Sequence, residues 1–451
     1  MRITWIQPED LVRHELAQAA DEGKEIQTIV DRWVAAGGDP NPPHEGATSP
    51  PAASALVDLA RDLLDELETL PAPAAADEPN DLDAIRALWH APPALPPLPS
   101  PTTLRDRIHG AWLGRAVGCL LGKPVERTPR EGIREILEAT GRWPLAGYFT
   151  ALGLPNDVSE RWPWNRASRT TSLAEVIDGM PEDDDLNYTL LALRVMEEHG
   201  QDFTTDDVAR VWLRDLPALR VFTAERIAYR NLLEGLQPPE TATRRNPYRE
   251  WIGAQIRTDL YGWVRPGDPH GAAELAWRDA RLSHTRNGIY GAMFVAAMAS
   301  AALVSDDAEV VLDAGLSVVP PRSRLANEVR SARQSAAEAD FETSVDALYA
   351  RHRGRHWVHA INNTGLSVGA LTAGRGDFGR SICLVVSGGW DTDSNGATVG
   401  AVCGAMAGAG ALPDAWTAPL RNHLDTSIPG FGATGFDELA DRTMALIASP
   451  A

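Results

Sequence analysis

Between Arg105 and Leu121 a glycine recurs at every fourth residue, Gly110, Gly114 and Gly118, with Gly122 just beyond. Glycine inside a helix is unfavourable by about 1 kcal/mol relative to alanine, so a repeat at helical spacing belongs where a second helix must approach the backbone closely. Membrane helices use the same device, but Arg105, Asp106, Arg107 and Arg115 in this segment point to a buried helix of a soluble core. Two long uncharged runs, Gly288 to Val304 and Gly396 to Leu412, are rich in Gly and Ala. Both fall short of the ~20 residues of a bilayer span and read as close-packed core helices. Strand-like alternation is scarce, so the expected fold class is all-α.

Just before the second run stands Gly388-Gly389-Trp390-Asp391-Thr392-Asp393-Ser394-Asn395. Asp391 and Asp393 repel one another unless a cation sits between them, and with the Ser394 hydroxyl they offer oxygen-only ligands to a hard divalent ion. The rival reading is a polar turn capping a helix, since Asp, Thr, Ser and Asn satisfy the orphan amides of a first turn. Far upstream, Glu182-Asp183-Asp184-Asp185 opens another helical pattern, Leu186, Leu190, Leu193, Val195 and Met196. There the positive end of the helix dipole favours carboxylates beside a cation. Two acidic clusters, each at a helix start, can converge on one ion or on a pair.

With these motifs and the segment Gly110 to Glu126, the chain resembles the ADP-ribosylglycohydrolase family, which includes dinitrogenase reductase-activating glycohydrolase and the ADP-ribosyl-acceptor hydrolases. Asp391-Thr392-Asp393-Ser394 is similar to the family's carboxyl-terminal metal motif, usually written GGDTDT, with Trp390 in the second glycine's place and Ser394 for the last threonine. Glu182 to Asp185 is similar to the amino-terminal threonine-Asp-Asp-threonine motif, with acids in both threonine places. Gly110 to Glu126 looks like the opening helix that ends on a catalytic glutamate. Three motifs in the right order are more specific than any one. The resemblance covers roughly residues 104 to 446 and implies a compact orthogonal helical bundle of that type, with an N-terminal helical extension.

For the site, the resemblance implies metal ligation by Glu182, Asp183, Asp184, Asp391, Asp393 and Ser394, with Glu126 and Asp184 catalytic. Two Mg2+ ions are expected, and an all-oxygen set accepts Mn2+ as well. Cys119 departs from the family pattern, standing where many members carry Asp. Substrate contacts are expected from His284, Trp390, Gly388, Gly389, Arg257 and Phe431. Arg257 lies in a stretch, 244 to 270, whose arginines, glycine amides and aromatics suit a pyrophosphate and an adenine. Phe431 lies in the tight apolar loop Ser427 to Gly432, which reads equally as a plain turn.

The implied reaction is hydrolysis of the glycosidic bond between ADP-ribose and an acceptor, a modified protein or a small molecule. Such a bond breaks through an oxocarbenium-like state, so the protein must supply a water nucleophile, a proton for the leaving group and a rigid hold on the sugar. Glu126 is the carboxylate expected to position or deprotonate the water. The alternatives are hydrolysis of another ribosyl or nucleoside conjugate, and a non-catalytic module that binds ADP-ribose.

Composition limits the partners. With 62 acidic against 42 basic residues the formal net charge is -20, which argues against a nucleic-acid surface. Three scattered cysteines, Cys119, Cys383 and Cys403, read as buried thiols, and no apolar signal core follows Met1, so a cytoplasmic protein is expected.

The domain reading is a helical extension and Pro-rich linker over 1–100, then a catalytic domain over 101–451. In the extension, residues 8 to 36 and 56 to 67 have helical spacing, separated by Pro40 to Pro51. Residues 141 to 180 lack periodicity but carry Trp143, Tyr148, Trp162 and Trp164 beside Arg161, Arg166 and Arg169. They read as a lid offering aromatic faces to a ligand, or as a surface loop anchored by its own aromatics. Thr205-Asp206-Asp207 mimics the amino-terminal motif but reads more simply as a capped helix start.

Overall fold

The computed structural model describes residues 2–41, 50–165, 167–432 and 434–448. Among these residues the chain is all-α, and its β pairing amounts to two isolated bridges, Met180 with Leu424 and Trp251 with His359. The helices that position the site are α1 (Pro8–Asp21), α2 (Ser54–Thr69), α3 (Pro101–Gly122), α4 (Asp184–His199), α5 (Arg286–Ala302), α6 (Ala360–Gly374) and α7 (Thr392–Ala407). The helical run expected over 8 to 36 is two helices, because Gly23 takes a φ of 76° and the chain restarts at Gln27–Ala35. Of the proline-rich stretch Pro40 to Pro51, residues 42–49 lie outside the described residues.

The glycine repeat finds its partner in α7. A Cβ at Gly110 would lie 2.2 Å from the carbonyl oxygen of Gly404, at Gly114 2.1 Å from that of Gly400, and at Gly118 1.8 Å from that of Gly396. The relation is reciprocal, since a Cβ at Gly400 would meet the Gly114 oxygen at 2.1 Å. No side chain fits on either side, and the reversed order of the pairs makes the two helices antiparallel. The stripe continues to Gly122, where Thr392 Oγ1 donates to the Gly122 carbonyl at 2.8 Å. Consequently the end of α3, followed by Lys123 and Glu126, stands against the start of α7 with Asp391 and Asp393.

Both expected core helices are buried along their length, α5 from Asn287 to Ala302 and α7 from Thr392 to Met406. A helix apolar on all sides belongs inside a bundle. Within α3 the exception is Arg115, fully buried. Its Nη1 donates to Asp259 Oδ2 at 2.7 Å, and its Nε and Nη2 donate to the Asp185 carbonyl at 3.0 and 2.7 Å. Nη2 also bonds the Ile256 carbonyl. A buried cation is tolerated when paired and hydrogen-bonded, and this one fixes α3 to the first turn of α4.

The N-terminal segment is docked by ion pairs and apolar packing together. From α1 and its C-cap Glu22, Glu15 and Glu22 receive Arg249 at 2.6 and 2.7 Å, and Asp21 receives Arg324 at 2.6 Å. From α2, Asp65 receives both Arg244 and Arg245 at 2.7 Å. Leu11, Leu16, Trp33 and Leu64 join one hydrophobic core with the rest of the chain. Cys119, Cys383 and Cys403 are buried free thiols, and no described helix is long and apolar enough to cross a membrane.

Candidate metal centre and active site

Two groups of ligand atoms come together where α3, α4 and α7 meet. Carboxylate oxygens of Glu126, Asp391 and Asp393 lie within 4.8 Å of one another, and so do Cys119 Sγ and oxygens of Asp183 and Asp185. Asp183 is the N-cap of α4 and accepts from the Asp185 amide at 3.0 Å, so the capping reading holds there. Asp391 also occupies an N-cap, yet its side chain makes no capping bond. The two clusters touch through Ser394, whose Oγ donates to Asp185 Oδ2 at 3.2 Å.

Electrostatics here are adverse for bare carboxylates. Burial, then the neighbouring Asp183, pushes the Asp185 carboxyl well above its usual range; burial, then Asp393, does the same to Asp391. Asp393 is pushed up to about 7, by burial first and by Glu126 next. Lys123 supplies one internal counter-charge. Burial opposes its ammonium, but the ion pair with Asp183 outweighs that and raises its pKa. Glu126 is held by Asn165 Nδ2, and Asn165 in turn accepts from Arg127 at 3.0 Å.

The donor chemistry fits hard divalent cations unequally at the two positions. Glu126, Asp391 and Asp393 are all oxygen and buried or nearly so, which suits such an ion. The other position has Asp183, Asp185 and the Ser394 hydroxyl as oxygen donors. Cys119 is a poor fourth, because a soft sulfur donor does not suit a hard divalent ion; burial and then Asp183 push its thiol pKa up.

Above these acids is a cavity of about 100 Å³. Its acidic floor is Glu126, Asp183, Asp184, Asp185, Asp391 and Asp393, with Lys123 and Ser394 between them. Its walls include Trp5, Tyr188, Phe222, Thr223, Ile252 and Trp357. Asp184 is half-buried and faces this space.

Several expected contacts lie elsewhere. Glu182 turns from the centre to Ser427 N at 3.0 Å, Asn187 Nδ2 at 3.1 Å and Arg220 at 2.7 Å, because the chain alternates sides before entering α4. Asp185, read from sequence as a stand-in for a threonine, takes the inward place instead. Arg257 is buried 1% exposed among Glu225, Asp279 and Ser283, with no donor directed at the cavity. Arg244 and Arg245 are bound to α2 as described. His284 is buried against Ser283 Oγ at 2.8 Å, and burial followed by Arg257 keeps its imidazole neutral, outside the cavity wall. Phe431 is covered by the guanidinium of Arg442 at 4.4 Å. Trp390 stacks on Tyr349 at 4.2 Å, while Gly388 O accepts from Tyr349 at 2.8 Å and Gly389 turns beside that hydroxyl with a φ of 83°. These three residues shape the turn that presents Asp391.

Nor do the tryptophans of 141 to 180 face the acids. Trp162 donates to Glu135 at 2.6 Å, and Trp143 lies under Arg134 at 4.8 Å. From that segment Asn165 alone, among the described residues, hydrogen-bonds Glu126; Arg166 lies outside them. The stretch Thr205-Asp206-Asp207 starts a helix with Thr204 and Asp207 forming a capping box. Sequence reading missed Trp5, Phe222 and Trp357 because nothing in their neighbourhoods marks a site.

The family model for ADP-ribosylglycohydrolase matches residues 100–450. An uncharacterized protein of Archaeoglobus fulgidus is 24% identical over 327 residues, 71% of this chain and 93% of its own length. A solved structure described as an ADP-ribosylglycohydrolase-related protein complex is 23% identical, with a TM-score of 0.47, over 77% of this chain and 98% of its own. With the ordered motifs and a match over three quarters of its length, the chain belongs to the ADP-ribosylglycohydrolase family.

Proposed function

We propose that this protein is a metal-dependent hydrolase of the glycosidic bond at ribose, releasing ADP-ribose from a modified protein or small molecule. The observation that carries this reading is the convergence of Glu126, Asp391 and Asp393 within 4.8 Å, beside Asp183 and Asp185, on the floor of one cavity. Residues 101–451 form the catalytic domain in this reading, residues 1–100 its extension, and the buried thiols suit a reducing compartment such as the cytoplasm.

Asp391 and Asp393, with Glu126 beside them, would border one Mg2+ or Mn2+, and Asp183, Asp185 and Ser394 would hold a second. Such ions supply positive charge for the ribose hydroxyls and lower the pKa of a water. Glu126, oriented by Asn165, takes a proton from the attacking water and returns it to the leaving group as the glycosidic bond breaks. Asp184, half-buried on the acidic floor, accepts from a ribose hydroxyl and stabilises positive charge at the anomeric carbon. Trp5, Phe222 and Trp357 restrict bulk water around the bond.

A second reading, hydrolysis of a simpler ribosyl or nucleoside conjugate, draws support from the cavity's size. At about 100 Å³ it is well below the ~300 Å³ at which drug-sized ligands are usually enclosed. The test is release of free sugar from arginine-linked and serine-linked ADP-ribosyl conjugates and from nucleosides, with Mg2+, Mn2+ or chelator. Metal-dependent release abolished in Asp391→Asn supports the reading, and full activity in that variant overturns it.

A further inference from the structure

Trp5 lies far outside residues 100–450, yet it forms part of the wall over the acidic floor. Its backbone takes a φ of 66°, a conformation that a bulky side chain rarely adopts and that persists only where the surroundings enforce it. Nine non-glycine residues among those described have positive φ; Trp5, Arg127 and Thr223 line this cavity, and Trp390 directly precedes Asp391. Four of the nine therefore stand at one site. The enforcement at Trp5 is visible: Arg226 Nη1 donates to the Thr4 carbonyl at 3.0 Å and to Thr4 Oγ1 at 2.7 Å. The indole makes edge-to-face contacts with Tyr248 at 5.6 Å, Trp251 at 5.9 Å and His356 at 6.3 Å. Behind it, α1 is fixed by the Glu15 and Glu22 pairs with Arg249.

We infer that Trp5 is a specificity-determining residue, a rigid aromatic wall that selects ribosyl conjugates whose leaving group is planar and delocalised. This inference rests on the hydrolase reading. The acidic floor that holds the ribose in that reading shares its cavity with the aromatic surface of Trp5, Phe222 and Trp357. A half-buried aromatic packed on several sides, as Trp5 is, is pre-organised for stacking. A heteroaromatic base and a guanidinium both meet the requirement, the latter helped by the acidic floor.

The experiment is calorimetric titration of the Mn2+-loaded full chain with ribose, with formycin (a carbon-linked purine riboside whose base is not hydrolysed) and with ribose plus methylguanidine. Wild type is expected to prefer one planar probe over ribose alone by about tenfold. Trp5→Ala should bring that preference to within about twofold, and Trp5→Phe should keep most of it. Trp5→Leu retains apolar bulk against Tyr248 and Trp251, so if Trp5→Ala loosens the extension, loss of preference in Trp5→Leu supports the inference in its place. Preference for formycin names a base as leaving group; preference for methylguanidine names a guanidinium. A preference unchanged in both Trp5→Ala and Trp5→Leu, or absent in wild type, overturns the inference. Trp5-dependent preference without turnover of any conjugate overturns the hydrolase reading and leaves the wall standing.

Discussion

Replacing Gly118 by alanine adds one methyl group at the tightest point between α3 and α7. Its Cβ would lie 1.8 Å from the Gly396 carbonyl oxygen, against a practical limit of 3.0 Å, so the helices must part there by about 1.2 Å. Overpacking by a methylene costs about 1–3 kcal/mol, and the upper end applies because the opposing atoms are backbone and have no rotamer to escape into. The separation also moves Glu126, which follows α3, away from Asp391 and Asp393, which begin α7. Metal-ligand distances tolerate only about 0.2 Å, so affinity for a divalent ion should fall more than tenfold. Denaturant unfolding of the metal-free protein reads the first effect and calorimetric Mn2+ titration the second. Gly110→Ala has a comparable clash, 2.2 Å from the Gly404 oxygen, but at the far end of the stripe. It should destabilise similarly with a smaller loss of affinity. Gly147→Ala, where a Cβ meets nothing within 4 Å, should do neither. Wild-type stability and Mn2+ affinity in Gly118→Ala would refute the reasoning.

Asp391→Asn should leave the metal-free protein no less stable than wild type while removing its thermal stabilisation by Mn2+, checked by melting with and without the ion, because it subtracts one of several mutually repelling buried carboxylates. Arg115→Met should destabilise by about 3–5 kcal/mol, since Asp259 is left buried without its partner; adding Asp259→Asn should recover part of that loss in the same unfolding assay. His14 gives a pH dependence. Burial, then Arg13, lowers its pKa from 6.5 to about 3, so the unfolded chain binds the extra proton between those values. Its contribution is complete above pH 6.5 and is lost as pH falls from there through about 3, up to about 5 kcal/mol. His14→Phe should flatten the acid limb of the stability profile over that window; an unchanged limb would remove His14 as its cause.

Much of the fold was legible because its determinants are local and periodic. The four-residue glycine repeat and the uncharged runs 288–304 and 396–412 announce buried helices, since a helix without a polar side has nowhere else to go. The acids at 182–185 and 391–393 mark the site because such crowding of charge has few purposes. Substrate contacts were the weaker reading. Arg257 and Arg244 have the chemistry a pyrophosphate needs, but chemistry alone does not say which partner a guanidinium meets, and here Glu225, Asp279 and Asp65 meet them first.

By itself, then, the sequence determines an all-helical core, two acidic helix starts and the family, all properties of residues near one another along the chain. Tertiary structure decides the rest: that Gly118 faces Gly396, that Asp185 rather than Glu182 points inward, and that Trp5 stands above acids hundreds of residues away. The physical reason is that hydrogen bonds, ion pairs and close packing act over a few ångströms. Which distant residues come within that range depends on how the helices pack, with the glycine stripe setting the closest approach.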